Sequence, residues 1–331
     1  MPLDHRLQPN PYADTASLID LAPGQESFRD AALRGLSLQH KALSPKFLYD
    51  SRGAELFERI CEQPEYYPTR TEMGLLRAKA GEMAELIGAN GHLVEYGSGA
   101  GEKIELLLAA LERPEAYVAI DVAREQLMEA TARLATRHPE LAVTGICADY
   151  TRPLPLPAAP NGRRVGFFPG STIGNFTPDE ARDFLKSAAK SLQGGGMLIG
   201  VDRKKDKAIL DAAYNDAAGV TEAFIMNLLL RMNRELDADF DLDRFRYVGF
   251  YNEAMGRIEI YIESLADQTV TVAGQRFHFR QGERLHSEYS CKYDIAEFQA
   301  LAKSAGFHPQ AWWTDADELF SIHYLSAASL N

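Results

Sequence analysis

The chain reads as an α/β protein, a mostly parallel sheet with helices on both faces, interrupted by an inserted α+β segment. Three observations predict this. A short apolar run, His92-Leu93-Val94, leads through Glu95-Tyr96 into glycines at alternate positions, Gly97, Gly99 and Gly101. A helical pattern follows at once, with Ile104, Leu107, Leu108 and Leu111 on one face. Strand-like and helix-like runs then alternate as far as Val201, which implies parallel pairing through helical crossovers. The third observation is a stretch of different texture between the fifth of these strands and a closing apolar pair near the C-terminal end.

The glycine turn is a nucleotide-binding arrangement, because glycine turns sharply and lets a ligand approach without a Cβ in the way. A dinucleotide fingerprint would need a third glycine at position 102, which is Glu. A carboxylate there opposes the pyrophosphate that the helix N-terminus would have to hold. The second strand, Ala116 to Ile120, ends in Asp121, about 20 residues past the turn, where an acid binds ribose hydroxyls. A helix over 123–136 and a third strand, Leu141 to Cys147, lead to Asp149-Tyr150, a carboxylate followed by a ring suited to adenine. The fourth strand, Val165 to Phe168, runs into Pro169-Gly170-Ser171-Thr172; a helix over 178–191 and a fifth strand, Met197 to Val201, complete the run. Pro153 to Pro160 reads as a loop.

From Asp206 to about Arg244 the pattern is helical, with Leu210, Ala213, Ala217, Val220, Phe224, Leu228 and Met232 recurring at helical intervals. Strand-like runs follow at Tyr247–Tyr251, Arg257–Ser264, Thr269–Val272 and Arg276–Arg280, with Gly274-Gln275 as the expected hairpin turn. A helix over 294–304 stops before Gly306, and His308–Trp313 with Phe320–Ala327 reads as the antiparallel pair that closes the sheet. The expected division is therefore discontinuous: a core of 70–203 and 292–331, and a second domain of 1–69 and 204–291.

A length of 331 residues suits two domains. The net charge of −12 disfavours a nucleic-acid partner, which would select a basic face. No run of 18 apolar residues could span a membrane, and the N-terminus Met1 to Arg6 leads into no apolar signal core. Cys61, Cys147 and Cys291 form neither a CxxC metal site nor an even disulfide set, and the histidines lack ligand spacing, so no metal is expected. The expectation is a cytoplasmic, soluble monomer acting on a small molecule.

Acid-x-Gly-x-Gly-x-Gly at 95–101 resembles motif I of the class I S-adenosylmethionine (SAM)-dependent methyltransferases, whose Rossmann-like core is a seven-stranded sheet. Five further blocks make the resemblance specific: Lys46-Phe47-Leu48-Tyr49-Asp50-Ser51-Arg52-Gly53; Glu65-Tyr66-Tyr67-Pro68-Thr69-Arg70-Thr71-Glu72; Phe168 to Phe176; Ala212-Ala213-Tyr214-Asn215-Asp216-Ala217-Ala218-Gly219-Val220-Thr221, with Asn233-Arg234-Glu235-Leu236 beyond; and Ser287-Glu288-Tyr289-Ser290-Cys291-Lys292-Tyr293. From about residue 20 onward the chain resembles the L-histidine Nα-methyltransferases of ergothioneine biosynthesis. The resemblance implies a two-domain enzyme that uses SAM to trimethylate the α-amino group of histidine, giving hercynine. Carried over by motif, the cofactor residues are Tyr49, Gly97, Lys103, Asp121, Asp149 and Tyr150; Tyr150 stands where the family often has Phe. The histidine residues are Tyr66 (or its neighbour Tyr67), Gly170, Asn175, Tyr214, Glu288 and Ser290, with Asn175 and Tyr214 as the catalytic pair.

The chemistry of these side chains agrees with such roles. Tyr66 and Tyr214 can donate to a carboxylate, and Asn175 can accept from an amine. Glu288 and Ser290, two apart on an expected strand, point to one face, where the acid accepts from one imidazole N–H and the hydroxyl serves the other nitrogen. Tyr66 and Phe176 could hold a trimethylammonium by cation–π contact. A first-turn lysine such as Lys103 is as readily a solvated residue as a partner of the cofactor's carboxylate. Two alternatives remain: an Nα-methyltransferase of another amino acid, such as a prenylated tryptophan, against which Glu288 argues, and a non-catalytic SAM-binding protein, against which Asn175 and Tyr214 argue.

Overall fold

The structure, a computed structural model, describes residues 16–21, 26–99, 101–152, 154–159, 163–192 and 194–328. Ala100 of the glycine turn, Pro153 and Pro160 of the proline patch, and residues 1–15 lie outside the described residues. The chain divides into two compact units, 1–25 with 70–203 and 293–331, and 26–69 with 204–292.

The first unit is built on an eight-stranded sheet of order β1 (Ala16–Asp20), β4 (Ala142–Cys147), β3 (Ala116–Asp121), β2 (His92–Tyr96), β5 (Arg164–Phe168), β6 (Gly196–Asp202), β13 (Phe320–Ala327) and β12 (Phe307–Thr314). The strands from β1 to β6 pair in parallel, and β13 pairs antiparallel with both β6 and β12. The strands in the middle of the sheet are near-continuous apolar runs because helices cover both faces; all seven residues of β6 are buried. Between them run α4 (Glu102–Leu108), α5 (Arg124–Arg137), α6 (Pro178–Ser191) and α9 (Ile295–Ser304). Thr177 starts α6 with a capping box, its hydroxyl taking the Glu180 N–H while the Glu180 carboxylate takes the Thr177 N–H. Leu93, Ile104, Leu107, Leu127, Val143, Val165, Phe167 and Leu198 make up the core around these strands.

All seven expected strands are present, and β1 adds an eighth. That strand corrects the expected assignment of 1–69 to the second domain, because Ala16–Asp20 pair with Val143–Cys147 on the edge of the large sheet. The closing boundary also moves by one residue, since Lys292 falls in the second unit.

The second unit contains α1 (Phe28–Ser37), α2 (Ser51–Cys61), α7 (Lys207–Ala213) and α8 (Val220–Glu235). It also holds an antiparallel sheet of order β11 (Arg284–Cys291), β8 (Arg257–Ser264), β7 (Phe245–Asn252), and a hairpin of β9 (Gln268–Val272) with β10 (Gln275–Phe279). The long helical pattern after Asp206 is broken in two: Gly219, at φ +69°, sits in a left-handed conformation ahead of α8. Asp216 holds the break by accepting the Val220 and Thr221 N–H groups at 2.7 and 2.8 Å. The hairpin turn is one residue earlier than expected, at Ala273-Gly274, both with positive φ, as a two-residue turn between twisted strands requires. The 21-residue α3 (Tyr67–Ile87) begins in the second unit and continues in the first.

Candidate active site

In the first unit the predicted cofactor residues gather at the C-terminal ends of β2, β3 and β4, where ligands bind in open α/β sheets. Gly97, Gly99 and Gly101 have φ of +74°, +49° and +78°, conformations that a side chain would strain. Gly101 starts α4, whose first turn carries Glu102 and Glu105. Asp121 ends β3, where its carboxylate accepts the Gly99 N–H at 3.2 Å and the Ala123 N–H at 3.0 Å. Burial raises its pKa, and the surrounding backbone N–H groups oppose that shift. Tyr150 lies with its ring against the Gly97 turn, about 3.6 Å from where a Cβ on Gly97 would be. Tyr96, Phe168 and Phe184 ring it at 5.6–6.3 Å between centroids. Asp149 accepts both the N–H and the hydroxyl of Thr151, at 3.0 and 2.6 Å, and so shapes its own loop.

This donor set fits SAM. The acid at the end of β3 suits ribose hydroxyls, and the ring of Tyr150 after β4 suits adenine. The open glycine turn carries the Ser98 hydroxyl, which is buried and has no hydrogen-bond partner among the described residues. Two acidic residues in the first turn of α4 oppose a pyrophosphate.

Sequence reasoning missed the residue that organises the rest of this unit. Glu72 on α3 is 1% exposed, accepts the Lys103 ammonium at 2.6 Å, and accepts the Gly170 N–H at 2.8 Å. Lys103 is thus tied within the protein. The carboxylate reaches this place only because position 200 on β6 is glycine, where a Cβ would come within 2.0 Å of Glu72 Oε1. Glu95 is also buried, takes a hydrogen bond from the Tyr117 hydroxyl, and has its pKa pushed up to about 8, chiefly by desolvation. Asn175 ends a 3-10 turn, Thr172–Asn175, and is half-buried.

In the second unit the structure brings together Tyr66, Tyr214, Glu288 and Ser290. Tyr66 and Tyr214 meet edge to face at 6.2 Å, and burial raises the Tyr66 pKa, with Tyr214, Tyr49 and Glu288 among the groups adding to the shift. Tyr49, read as a cofactor residue, belongs to this cluster, packed between Phe57 and Phe224 at 5.5 and 5.4 Å. Tyr67 is drawn elsewhere, with Lys205 over its ring at 4.5 Å and bonded to its hydroxyl. Tyr214 caps the end of α7; its hydroxyl donates to Ser290 Oγ at 2.9 Å, while its carbonyl accepts from the Tyr247 hydroxyl at 2.6 Å. Glu288 and Ser290 are both buried on β11, beyond a bulge that shifts the register after His286.

The residue missed here is Lys292, 2% exposed, whose Nζ donates to Tyr214 Oη at 2.9 Å and to Ser290 Oγ at 2.8 Å. Its signal was the alternation 288, 290, 292 within the run from Ser287 to Tyr293.

The profile of the family described as "Histidine-specific methyltransferase, SAM-dependent" matches residues 28–327. The histidine N-alpha-methyltransferase of Mycolicibacterium smegmatis is 40% identical over 297 residues, covering 88% of this chain and 92% of that protein. The enzyme of the same name from Mycobacterium tuberculosis is 38% identical over 299 residues, with the same coverage of both chains. The 4-dimethylallyltryptophan N-methyltransferase easF of Epichloe festucae var. lolii is 29% identical over 326 residues, covering 90% and 94%. On the profile and the mycobacterial relatives together, the chain belongs to the histidine-specific, SAM-dependent methyltransferase family.

Proposed function

We propose that this protein transfers methyl groups from SAM to the α-amino nitrogen of L-histidine, giving the trimethylated betaine hercynine, the first step of ergothioneine biosynthesis. The observation that carries the reading is the Glu288–Ser290 pair, an acid and a hydroxyl side by side on one strand and buried with Tyr214. An imidazole has two ring nitrogens to satisfy, and an indole has one N–H.

SAM, when bound, supplies a methyl group already activated on a sulfonium. The chain's own task is alignment. Asp121 and Tyr150 hold the nucleoside part, and the glycine turn admits it. Asn175, with its amide oxygen as acceptor, orients the substrate amine, and Tyr214 assists it. The attacking amine must be neutral, so its proton is shed before transfer and no dedicated general base is required. Tyr66 offers a ring face to the product ammonium, which can no longer donate hydrogen bonds. The substrate unit is 26–69 with 204–292, and the remainder is the cofactor core. The protein acts as a soluble cytoplasmic monomer.

Incubating the purified protein with SAM and each amino acid, and reading products by mass spectrometry, tests the reading. A mass gain of three methyl groups on histidine alone is expected. Methylation of tryptophan derivatives in preference to histidine would replace it.

A further inference from the structure

The three groups Tyr214, Ser290 and Lys292 form a closed triangle inside the second unit. Lys292 Nζ donates to both oxygens, at 2.9 and 2.8 Å, and the Tyr214 hydroxyl donates to Ser290 Oγ at 2.9 Å. A serine hydroxyl has two acceptor lone pairs and one proton. Both lone pairs of Ser290 are taken by these two donors. Its one remaining capacity is to donate. The count holds for either protonation state of Lys292, since even a neutral amine carries two N–H groups.

We infer that Lys292 is a positioning residue that, with Tyr214, fixes Ser290 as a donor, so that the site selects a neutral diazole ring in one tautomer. The unprotonated ring nitrogen faces Ser290, and the N–H faces Glu288. A cationic ring carries N–H on both nitrogens and would set donor against donor at Ser290. The inference rests on the proposed histidine reading and adds to it the protonation state of the ring that is recognised.

The groups that bear on this position are Glu288 on β11, Tyr214 at the end of α7, Tyr247 on β7 and Tyr66 ahead of α3. Asp216 and Glu222 act on Tyr247 from farther away. His286 lies against the Tyr261 and Tyr289 rings, at 5.4 and 3.9 Å, across the register shift from Glu288.

The test uses hercynine, whose trimethylammonium cannot titrate, so that the ligand's titration between pH 5.5 and 7.5 is that of the ring alone. Calorimetry is run with the full chain saturated with S-adenosylhomocysteine. For the wild type, affinity should fall about tenfold on going from pH 7.5 to 5.5, as the ring protonates below its ordinary pKa of about 6.5. In Lys292→Met one lone pair of Ser290 is released and the hydroxyl can accept, so binding weakens and the pH dependence flattens to about threefold or less. Tyr214→Phe removes the other donor and should flatten it likewise, which keeps the test intact if Lys292→Met does not fold. Lys292→Arg, with two N–H groups in reach, should restore the wild-type slope.

Uniform weakening with an unchanged slope in both variants would reduce Lys292 to a structural part and overturn the inference while leaving the histidine reading in place. A pH-independent wild type would do the same. A wild type that binds neither hercynine nor histidine at any pH would sink both.

Discussion

At Asp121 a single side chain carries the proposed hold on the ribose of the cofactor. Its carboxylate already organises the glycine turn through Gly99 and the start of the next loop through Ala123. Hydrogen bonds to a charged acceptor are worth roughly 1.5–3 kcal/mol each. Asp121→Ala should therefore weaken SAM binding tenfold or more by calorimetry, and unchanged affinity would remove the ribose role. Asp121 was legible in the sequence because it stands at a fixed distance from a glycine turn. Glu72 was not. A glutamate on a helix ordinarily marks a solvated face, and nothing in the local pattern says that this one is buried against Lys103 and Gly170. Lys292 was hidden for a similar reason: its strand alternation was visible, but a lysine at a strand end reads as solvent-facing until its partners are seen.

The elements show how such residues are accommodated. Helix α3 and strand β6 meet through Glu72 and the missing Cβ of Gly200. Gly200→Ala should cost about 1–3 kcal/mol by denaturant unfolding, because the carboxylate has to move. Glu72→Ala should cost about 3 kcal/mol, since it strands a partly buried ammonium. The double variant should cost clearly less than the two separate losses together, because the clash disappears with the carboxylate. Strict additivity would mean that the two positions are not coupled. Element type was mostly readable: the strands of the large sheet follow their apolar runs, and Phe320–Ala327 begins and ends where expected. The misreadings have physical causes. Strand β1 is five residues with two buried, too short a signal to stand out. The helical pattern after Asp206 continues across its break because the break is made by backbone conformation at Gly219 and capping by Asp216, neither of which disturbs the apolar spacing.

For the whole molecule, two buried groups give stability opposite dependences on pH. Glu95 has its folded pKa raised to about 8 from an ordinary 4.5, so its contribution is complete below 4.5 and is lost as pH rises toward 8. His323, wholly buried beside Ser321, has its folded pKa lowered to about 3 from 6.5. Its contribution is complete above 6.5 and is lost as pH falls toward 3. Glu95→Gln keeps an acceptor for Tyr117 and should gain stability over wild type progressively from pH 5 to 8, by up to a few kcal/mol. His323→Leu should instead narrow the loss of stability between pH 6 and 4. Unfolding curves across that range check both, and a Glu95→Gln effect independent of pH would mean the acid is ionised in the folded protein.

The central claim is that Glu288 makes this a histidine enzyme. The direct measurement is kcat/KM for histidine and for tryptophan, in the wild type and in Glu288→Ala, with SAM saturating. A site built to hydrogen-bond a polar ring rejects rings that leave its buried groups unpaired. The wild type should favour histidine strongly, and Glu288→Ala should lose histidine turnover by about a hundredfold or more while the gap to tryptophan narrows. A variant that kept the wild-type preference for histidine would contradict the account.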